Sequence, residues 1–434
     1  MFSKLLIANR GEIAVRIIRA CKEMGISTVA VHSTADEEAL HVSMADEKVC
    51  IGGAYARDSY LKADRIVSAA LATGAQAIHP GYGFLSENSE FADLCKKHDL
   101  IFVGPKSEVI AQMGDKDRAR AIMKAAGVPV IPGSEIVHSV EEAIQTAKEV
   151  GFPILLKARA GGGGKGIRHV PDIESLPSAY KTASEEAKSA FGDGGLYIEK
   201  FLTKVKHVEI QILADEHGNI VALGERECSV QRNNQKLVEE SPSPVLTSEM
   251  RAAMIETSIL AAKAVNYANA GTLEYLLDGD KFYFMEMNTR LQVEHPVTEM
   301  VTGIDIVKWQ LRIADGIPID FTQEDIRLNE TSIECRINAS GTGKVGFFHV
   351  PGGPRTRFDT ALYNNYTVPP FYDSLLGKLI VHANTREEAI RKMKAALSEL
   401  VIEGVPSNIE EQIQIMGSPA FVSGLYCTDF KVGD

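Results

Sequence analysis

The order of hydrophobic and polar residues changes period along the first part of the chain. Residues 4–9 contain the short apolar run Leu5 to Ala8, residues 12–24 carry apolar side chains at helical spacing, and residues 27–32 contain the apolar residues Val29, Ala30 and Val31. This order predicts a strand, an amphipathic helix and a second strand, which together make a βαβ unit. Because similar alternation continues to about residue 113, we predict an open, mostly parallel sheet in this region.

The pattern changes after this region. The segment VPVIPG at residues 128–133 has the proline and glycine content of a linker, and alternating stretches such as residues 207–213 predict a larger antiparallel sheet. The fold class is therefore α/β, and α+β overall. We predict an N-terminal α/β domain, a linker helix region, a small domain and a C-terminal domain, at residues 1–113, 114–132, 133–202 and 203–434.

Length and composition narrow the class of protein. A chain of 434 residues is too long for one compact core, and its 45% hydrophobic and 24% charged residues are typical of a soluble globular protein. The net charge of −12 argues against nucleic acid as a partner. The six scattered cysteines lack Cys-x-x-Cys spacing, which favours reduced thiols over zinc or disulfides. Because the sequence has neither a signal-peptide core nor an apolar stretch of about 20 residues, we expect no membrane segment and a cytoplasmic location.

Two oxygen-bearing side chains lie close together in the segment FYFMEMN, whose aromatic content predicts a strand. Side chains alternate between the two faces of a strand, so Glu286 and Asn288 point the same way, about 7 Å apart. The preceding GTLEYLL predicts a partner strand, and a three-residue loop at residues 279–281 would set Glu274 opposite Glu286 on that face. Such oxygens suit Mg²⁺ or Mn²⁺ and leave coordination sites for phosphates. The alternative is an acidic surface hairpin.

A second segment, FPILLKARAGGGGKG, joins an apolar strand to a glycine-rich loop. The four glycines at residues 161–164 free the backbone to approach phosphate, and Lys157 and Lys165 add positive charge. The loop is not a Walker A loop, because Gly166 stands where Ser or Thr would hold the metal. The segment therefore predicts a phosphate site, and a flexible surface loop is the alternative.

Further segments extend the pattern over nearly the whole chain. They are IANRGEIAVRI (7–17), IHPGYGFLSEN (78–88), MGDK (113–116), HVEIQ (207–211), ERECSVQRNNQK (225–236), EMNTRLQVEHP (286–296), IECRIN (333–338) and TVPPFYDS (367–374). With the glycine loop, they resemble the ATP-grasp superfamily and, within it, the biotin carboxylases of acetyl-CoA carboxylase and its relatives. The resemblance implies an ATP-grasp fold, with an N-terminal open parallel α/β sheet domain, a small glycine-loop lid domain and a C-terminal antiparallel-sheet domain.

The resemblance also implies a two-step reaction. ATP phosphorylates bicarbonate to carboxyphosphate, which delivers CO₂ to N1′ of biotin. The implied cofactors are ATP, Mg²⁺ or Mn²⁺, and biotin on a carrier protein. The implied partners are a biotin carboxyl carrier protein, carboxyltransferase subunits and a second copy of the chain in a homodimer, with Arg16, Arg19 and residues 363–373 as candidate contacts.

The family motifs imply binding roles for individual residues. The metal would lie on Glu274, Glu286 and Asn288. The nucleotide and its phosphates would contact these two glutamates together with Lys116, Lys157, Gly163, Gly164, Glu199, Lys200, Phe201, Leu202, His207, Gln231 and Asn234. Bicarbonate would lie against Lys236, Arg290, Gln292 and the backbone of Val293, and Tyr82 with Glu87 would lie near the biotin or bicarbonate end.

Catalytic roles are implied for Lys236, Arg290, Glu294 and Arg336. Arg290 offers a planar fork that matches a planar oxyanion, and Glu294 would remove the proton of bicarbonate. Arg336 would stabilise the enolate-like charge on biotin, which makes it a transition-state residue. Plain structural alternatives exist: Lys116 could be a surface charge, His207 a core histidine, and Glu294 the ion-pair partner of Arg290.

The chain departs from the family pattern at two places. Asn234 stands where many members have His or another residue, although an amide can still hydrogen-bond a ribose hydroxyl. After Ala339 the family usually continues through an Asp-Pro and Pro-rich loop, whereas SGTGKV at residues 340–345 is much shorter. We interpret this difference as a trimmed surface loop. Altered docking of biotin or its carrier is the alternative.

The sequence carries neither a biotinyl domain nor a carboxyltransferase domain. We therefore expect biotin on another polypeptide and a free-standing subunit of acetyl-CoA carboxylase, acting in fatty acid synthesis through malonyl-CoA. The KMK at residues 392–394 resembles a biotinylation motif, but its helical pattern argues against that function. The alternatives are a subunit of pyruvate or propionyl-CoA carboxylase, another ATP-grasp ligase, and a catalytically weak nucleotide-binding regulator.

Overall fold

The structure is a computed structural model that describes residues 1–158, 167–191, 194–328 and 330–432. Its contacts divide the chain into two compact units. The first consists of Met1–Val128, Lys206–Leu276 and Glu286–Asp434, and the second of Pro129–Val205 and Leu277–Met285. Each unit buries apolar cores of its own. The domain limits predicted at residues 113, 132 and 202 stay predictions.

The described residues form fourteen α-helices and twenty-one strands. In chain order, α1 to α14 are Gly11–Glu23, Leu40–Met44, Ala63–Thr73, Ser89–Lys97, Ser107–Gly114, Lys116–Ala125, Val140–Val150, Leu176–Phe191, Ser248–Ala264, His295–Thr302, Ile306–Ala314, Arg386–Glu399, Ile409–Gly417 and Pro419–Ser423. The strands β1 to β21 are Lys4–Ile7, Ser27–Ser33, Glu47–Gly52, Ala77–His79, Ile101–Phe102, Gly133–Val137, Ile154–Ala158, Ile167–Val170, Leu196–Lys200, Lys206–Ala214, Ile220–Arg232, Gln235–Ser241, Asn269–Asp278, Lys281–Asn288, Thr331–Asn338, Gly343–Lys344, Phe348–His349, Thr356–Thr360, Thr367–Val368, Leu375–Ala383 and Val401–Ile402. In this part of the chain, no helix combines the length and the apolar character needed to cross a membrane.

The N-terminal sheet has the strand order β3-β2-β1-β4-β5, and its pairs are parallel. The predicted βαβ unit is confirmed as β1, α1 and β2. α1 buries Ile13, Ile17 and Ile18, which lie on its apolar face. Two charged residues of the same helix, Glu12 and Arg16, are buried as well. Charged residues on the buried side of a helix do not fit an amphipathic pattern. Glu12 and Arg16 therefore need oppositely charged or hydrogen-bonding partners elsewhere in the unit.

The largest sheet has the order β14-β13-β10-β11-β12-β15-β20-β18. Its pairs from β10 to β18 are antiparallel, as the alternating pattern predicts. On β15, Cys335 belongs to an apolar core, whereas its neighbours Glu334 and Arg336 point to the other face. The register places Glu334 opposite Glu239 and Arg336 opposite Lys378. The sheet therefore has one apolar face and one charged face, and α10 packs on β12, β15 and β20.

The second unit is built on a four-stranded sheet of order β6-β9-β7-β8. β7 pairs antiparallel with both β8 and β9, and α7 and α8 pack on these strands. The core contains Ile154, Leu156 and Ile198. The predicted glycine loop, residues 161–166, lies outside the described residues.

The shortened segment after Ala339 packs against two other parts of its unit. The amide of Ser340 donates to Pro406 O at 2.9 Å, and Gly343 pairs with Val368. Most side chains between residues 340 and 344 are exposed. The segment containing KMK forms α12, in which Lys392 Nζ donates to the backbone carbonyl of His382 at 3.1 Å.

The glycines of this segment generate a stability prediction. A Cβ added to Gly343 would lie 2.0 Å from Gly404 O, whereas one added to Gly346 would meet its nearest atom at 3.8 Å. We expect Gly343→Ala to lower the free energy of unfolding by about 1–3 kcal/mol, the usual effect of forcing atoms into a packed site. Gly346→Ala is the matched control and should behave like the parent protein in denaturation followed by circular dichroism. Equal midpoints for both variants would contradict the described packing.

Candidate active site

Lys236 lies at the centre of a buried cluster of charges. Its Nζ lies 2.7 Å from Glu209 Oε2, 2.9 Å from Glu274 Oε1 and 2.6 Å from Glu294 Oε1. The three carboxylates come from β10, from β13 and from the residue that precedes α10. Carboxylates packed so closely would repel one another without a cation between them. One ammonium group thus joins three distant parts of the sequence.

The cluster determines the charges of its members. Burial disfavours the charged form of Lys236, but the three carboxylates outweigh burial and raise its pKa. Burial also acts to raise the pKa of Glu294, and the cations Lys236 and Arg336 outweigh it and hold that pKa well below 4.5. In the same way Lys236 and His207 overcome burial and lower the pKa of Glu274. Both carboxylates are therefore ionised at neutral pH.

Arg336 connects this cluster to a further buried carboxylate. Its Nε donates to Glu239 Oε1 at 2.6 Å, and its Nη2 donates to Glu294 Oε2 at 3.0 Å. Burial raises the pKa of Glu239 to about 7, against the opposing effect of Arg336. Glu334 lies opposite Glu239 in the sheet, and burial raises its pKa as well. The charged face of the sheet thus holds carboxylates with lowered pKa and carboxylates with raised pKa.

Arg290 is held by residues on either side of it and by a glutamate from the N-terminal region. Its Nε donates to Glu87 Oε2 at 2.8 Å, its Nη1 to Gln292 Oε1 at 3.0 Å and its Nη2 to Asn288 Oδ1 at 3.1 Å. The described contacts pair Glu294 with Lys236 and Arg336, and they pair Arg290 with Glu87. The structural alternative for Glu294, an ion pair with Arg290, is therefore not found among them.

Two predicted residues, Tyr82 and His207, lie among charged groups. The hydroxyl of Tyr82 donates to Glu12 Oε1. His207 Nε2 lies 3.1 Å from Glu274 Oε2, and its Nδ1 lies 2.9 Å from Gln231 Nε2. His207 is buried, as a core histidine would be, but its neighbours are the residues of the charged cluster.

Asn234 lies in the turn between β11 and β12. Asn233 and Asn234 have φ of 51° and 63°, and the two residues form the whole connection. Two left-handed residues are typical of a type I′ hairpin turn, in which asparagine is among the most favoured residues. Turn geometry therefore gives a physical reason for asparagine at this departure from the family pattern.

The hairpin of β13 and β14 differs in one respect from the prediction. β13 ends at Asp278 and β14 begins at Lys281, so the three-residue loop predicted at residues 279–281 is wrong. Only Gly279 and Asp280 lie between the strands. Gly279 has a left-handed φ of 62°, which glycine adopts without strain and which allows the chain to reverse within two residues.

The prediction that Glu274 lies directly opposite Glu286 depends on the three-residue loop and loses its basis with a two-residue connection, whereas a direct contact joins Glu274 to Asn288. Asn288 Nδ2 donates to Glu274 Oε1 at 2.9 Å, so these two side chains meet on one face. Glu286 lies two residues before Asn288 on β14, and strand alternation keeps it on the same face. Lys116 Nζ lies 3.5 Å from Glu286 Oε2. This set of carboxylate and amide oxygens fits Mg²⁺ or Mn²⁺ by the chemistry of its donors.

The second unit contains the remaining predicted nucleotide residues. Lys157 Nζ donates to the carboxylate of Glu199 across β7 and β9. Lys200 Nζ donates to Phe152 O at 2.7 Å, and the Phe201 amide donates to Pro153 O at 3.0 Å. Leu202 follows directly and is partly exposed. Gly163 and Gly164 lie outside the described residues.

Sequence reasoning missed several buried charges of this site. Glu209 and Arg226 form an ion pair at 2.5 Å, and Arg226 Nη1 also donates to Gln211 Oε1 at 2.7 Å. Glu209 lies within HVEIQ, two residues after His207, so strand alternation could have placed both on one face. Glu239 and Lys378 have no such local signal, because their partners come from other strands.

Three family models match successive parts of the chain. They describe the biotin carboxylase N-terminal domain at residues 1–110, the ATP binding domain of carbamoyl-phosphate synthase L chain at 115–322, and the biotin carboxylase C-terminal domain at 327–431. The chain belongs to the biotin carboxylase family. Biotin carboxylase 1 of Bacillus subtilis is 53% identical over 99% of this chain and 98% of its own length. The biotin carboxylase of Nostoc is 52% identical with the same coverage. This biotin carboxylase is therefore an ATP-dependent ligase.

Solved structures agree with this assignment and with the predicted ATP-grasp fold. A biotin carboxylase complex with β,γ-ATP from Campylobacter jejuni has a TM-score of 0.93 and 46% identity, over 99% of this chain and 98% of that one. The biotin carboxylase domain dimer of Hydrogenobacter thermophilus 2-oxoglutarate carboxylase has a TM-score of 0.91 and 51% identity, over 99% and 96%. The latter contains MgADP, ADP and bicarbonate.

The raised pKa of Glu239 generates a prediction about stability and pH. Its pKa rises from 4.5 to about 7 on folding, so between these values the unfolded biotin carboxylase binds fewer protons than the folded one. The stability contributed by protonated Glu239 is complete below pH 4.5 and is lost as the pH rises through 7. We expect Glu239→Gln to lose less stability than the parent protein across this window. Thermal unfolding at intervals between about pH 5 and 8 measures this difference.

Glu387→Gln, on the exposed start of α12, is the control for this experiment. It removes an exposed carboxylate in place of a buried one. Its unfolding temperature should change with pH in the same way as that of the parent protein. A Glu239→Gln variant with the same dependence on pH as the parent protein would show that Glu239 does not titrate in this range.

Proposed function

We propose that this biotin carboxylase is the free-standing subunit of acetyl-CoA carboxylase that carboxylates biotin on a biotin carboxyl carrier protein. Bicarbonate is the carbon source and ATP the energy source. The observation that carries the proposal is the array of Lys236, Glu294 and Arg336, in which one ionised carboxylate lies between two cations. Such an array can hold an anion, remove its proton and stabilise a second developing charge. Relatives named biotin carboxylase match over 98% of their own length, which supports a free-standing subunit.

Bicarbonate binding and deprotonation are the first part of the proposed mechanism. Lys236, Arg290, Gln292 and the backbone of Val293 bind the anion. Glu294 accepts the proton of bicarbonate, and its lowered pKa ensures that it is ionised before the reaction starts. The deprotonated oxygen then attacks the γ-phosphorus of ATP, forming carboxyphosphate and releasing ADP. Phosphoryl transfer of this kind depends on positioning and charge neutralisation.

Nucleotide and metal binding are assigned to residues of the family motifs. Glu274, Glu286 and Asn288 would hold Mg²⁺ or Mn²⁺, which would supply positive charge to the phosphates. Lys116 and Lys157 also neutralise phosphate charge, and the Gly163 and Gly164 amides cover the phosphates. Further nucleotide contacts are assigned to Glu199, Lys200, Phe201, Leu202, His207, Gln231 and Asn234.

Transfer of the carboxyl group to biotin is the second part. Carboxyphosphate breaks down to CO₂ and phosphate, and the released phosphate removes the proton from N1′ of biotin. The deprotonated nitrogen then attacks CO₂ and forms carboxybiotin. Arg336 stabilises the negative charge that develops on the ureido oxygen, because its guanidinium is permanently charged. Tyr82 and Glu87 are assigned to the biotin or bicarbonate end. The carboxyltransferase subunits then receive the carboxyl group from the carrier.

A second candidate keeps this half-reaction and changes the complex. The biotin carboxylase domain of 2-oxoglutarate carboxylase is 51% identical to this chain, and the biotin carboxylase subunit of pyruvate carboxylase is 50% identical. These values lie close to those of the relatives named only as biotin carboxylases. Copurification from the native host decides between the candidates, since the proposal expects acetyl-CoA carboxyltransferase subunits and the second candidate expects a 2-oxo acid carboxyltransferase.

We also propose a homodimer in the cytoplasm. One solved relative is a biotin carboxylase domain dimer, which supports the dimer proposal. Arg19 is exposed on α1, and Asn364, Asn365 and Asp373 are exposed within residues 363–373, so these side chains can reach a second copy. Arg16 instead donates to Glu299 and Asp305 at 2.8 and 2.7 Å within the chain, so its contribution to the interface is to hold α1 in place.

The proposed function is tested by ADP release from the purified protein with ATP, Mg²⁺ and bicarbonate, with and without free biotin. We expect turnover that requires bicarbonate and rises with biotin. Bicarbonate-dependent turnover without a response to biotin would point to altered docking at the shortened loop. Turnover independent of both would favour another ATP-grasp ligase, and no turnover would favour a nucleotide-binding regulator.

The assigned base generates a sharper prediction. Glu294→Gln keeps the size of the side chain and one oxygen that can accept from Lys236 or Arg336, but it removes the negative charge and the second acceptor. We expect biotin-stimulated ADP release to fall by at least about 100-fold, the usual contribution of a general base. ADP affinity, measured by calorimetry, should stay within about twofold, since Glu294 is assigned no nucleotide contact. Turnover close to that of the parent protein would eliminate Glu294 as the base.

A further inference from the structure

Lys378 is a buried cation that the mechanism above does not use. It lies on β20, its side chain has no solvent exposure, and its Nζ donates to Val293 O at 2.8 Å. The same Nζ lies 3.1 Å from Glu12 Oε1, on α1. Lys378 therefore joins the N-terminal helix, the central sheet and the segment before α10.

Burying this pair of charges is costly for the fold. Taking an ammonium and a carboxylate out of water costs several kcal/mol each, and an apolar pair of the same size is often at least as stable. One oxygen of the pair, Glu12 Oε2, is buried and has no hydrogen-bond partner among the described residues. A lysine and a glutamate at these positions thus require a reason other than stability.

The position of Val293 supplies that reason. Val293 lies between Gln292 and Glu294, and the proposed function assigns its backbone to bicarbonate. The ammonium reaches the Val293 carbonyl from a residue 85 positions further along the chain, so it fixes this backbone relative to the central sheet. Lys378 is also directly opposite Arg336 in the pairing of β15 and β20. The strand β20 therefore pairs with the strand that carries Arg336 and also supplies the side chain that holds the Val293 carbonyl.

Glu12, the other member of the pair, contacts a residue that is assigned to the biotin or bicarbonate end. Glu12 Oε1, which receives the ammonium of Lys378, also receives the hydroxyl of Tyr82. A single carboxylate oxygen therefore holds both the cation behind the bicarbonate segment and the tyrosine assigned to the biotin end. Displacing the pair would release both contacts together.

We propose that Lys378, held by Glu12, is a positioning residue that places the backbone of Val293 and Glu294 for bicarbonate binding. This inference rests on the proposed function. Lys378 itself touches no substrate and acts through the carbonyl that it anchors. Its loss should therefore weaken bicarbonate binding and leave the nucleotide sites intact.

The test uses the variant Lys378→Met with Glu12→Gln, which removes both charges and leaves neither one buried alone. We expect the KM for bicarbonate to rise about tenfold or more, the loss corresponding to one charge-assisted hydrogen bond. The KM for ATP should stay within about twofold. Steady-state ADP release by the full chain measures both KM values. A general loss of stability would not change the KM for bicarbonate while leaving the KM for ATP unchanged.

A matched control exists in the same unit. Lys206 is also buried, and its Nζ donates to Gly424 O at 3.1 Å and lies 3.7 Å from Glu227 Oε2. The variant Lys206→Met with Glu227→Gln removes an equivalent buried pair that anchors a different backbone carbonyl. We expect its KM for bicarbonate to stay within about twofold of the parent value.

The outcomes separate this inference from the function on which it rests. Parent protein without bicarbonate-dependent turnover would overturn both. Parent protein with such turnover, together with an unchanged bicarbonate KM in the Lys378→Met and Glu12→Gln variant, would overturn the inference alone. If that variant does not fold, Lys378→Arg keeps the charge but shifts the donor, and the same comparison of the two KM values applies to it.

Discussion

One ammonium group among three carboxylates is the interaction on which the active site depends. Lys236 Nζ lies within 2.9 Å of oxygens of Glu209, Glu274 and Glu294. Two unit charges about 4 Å apart near a protein surface interact by about 4 kcal/mol, which is comparable to the cost of burying them. The cluster is therefore a poor source of stability. We interpret it as a device that keeps Glu294 ionised in a site from which water is largely excluded.

The geometry of the sheet makes this arrangement possible. Side chains alternate between the faces of a strand, so Cys335 can enter an apolar core while Glu334 and Arg336 face α10. A slip of one residue would exchange the two faces and place the charges in the core. Register is therefore fixed from both sides, by burial on one face and by paired charges on the other. The same rule lets Lys378 reach the segment before α10.

The sequence predicted the parts of this structure that depend on local patterns. The period of the apolar residues indicated the βαβ unit, and the motifs in family order indicated the ATP-grasp fold. Strand alternation also placed Glu286 and Asn288 on one face. The loop between β13 and β14 is one residue shorter than predicted, because Gly279 adopts a left-handed conformation that lets the chain reverse within two residues. Hairpin length depends on such single residues.

Buried charges without a local pattern could not be predicted. Glu239 and Lys378 are separated from their partners by long stretches of sequence, and only the pairing of β12, β15 and β20 brings them into the site. Their burial also contradicts the usual expectation that charged residues lie at the surface.

The central claim is that Glu294 is an ionised base held in that state by two cations. The most direct measurement is the pKa of Glu294 in the folded protein, from NMR of ¹³C-labelled glutamate carboxyl groups, with the signal assigned through Glu294→Gln. The account predicts a pKa well below the ordinary 4.5, so that the signal does not shift while the protein stays folded above that pH. A pKa at or above 4.5 would contradict it, because Lys236 and Arg336 would then not stabilise the ionised form of Glu294 against burial.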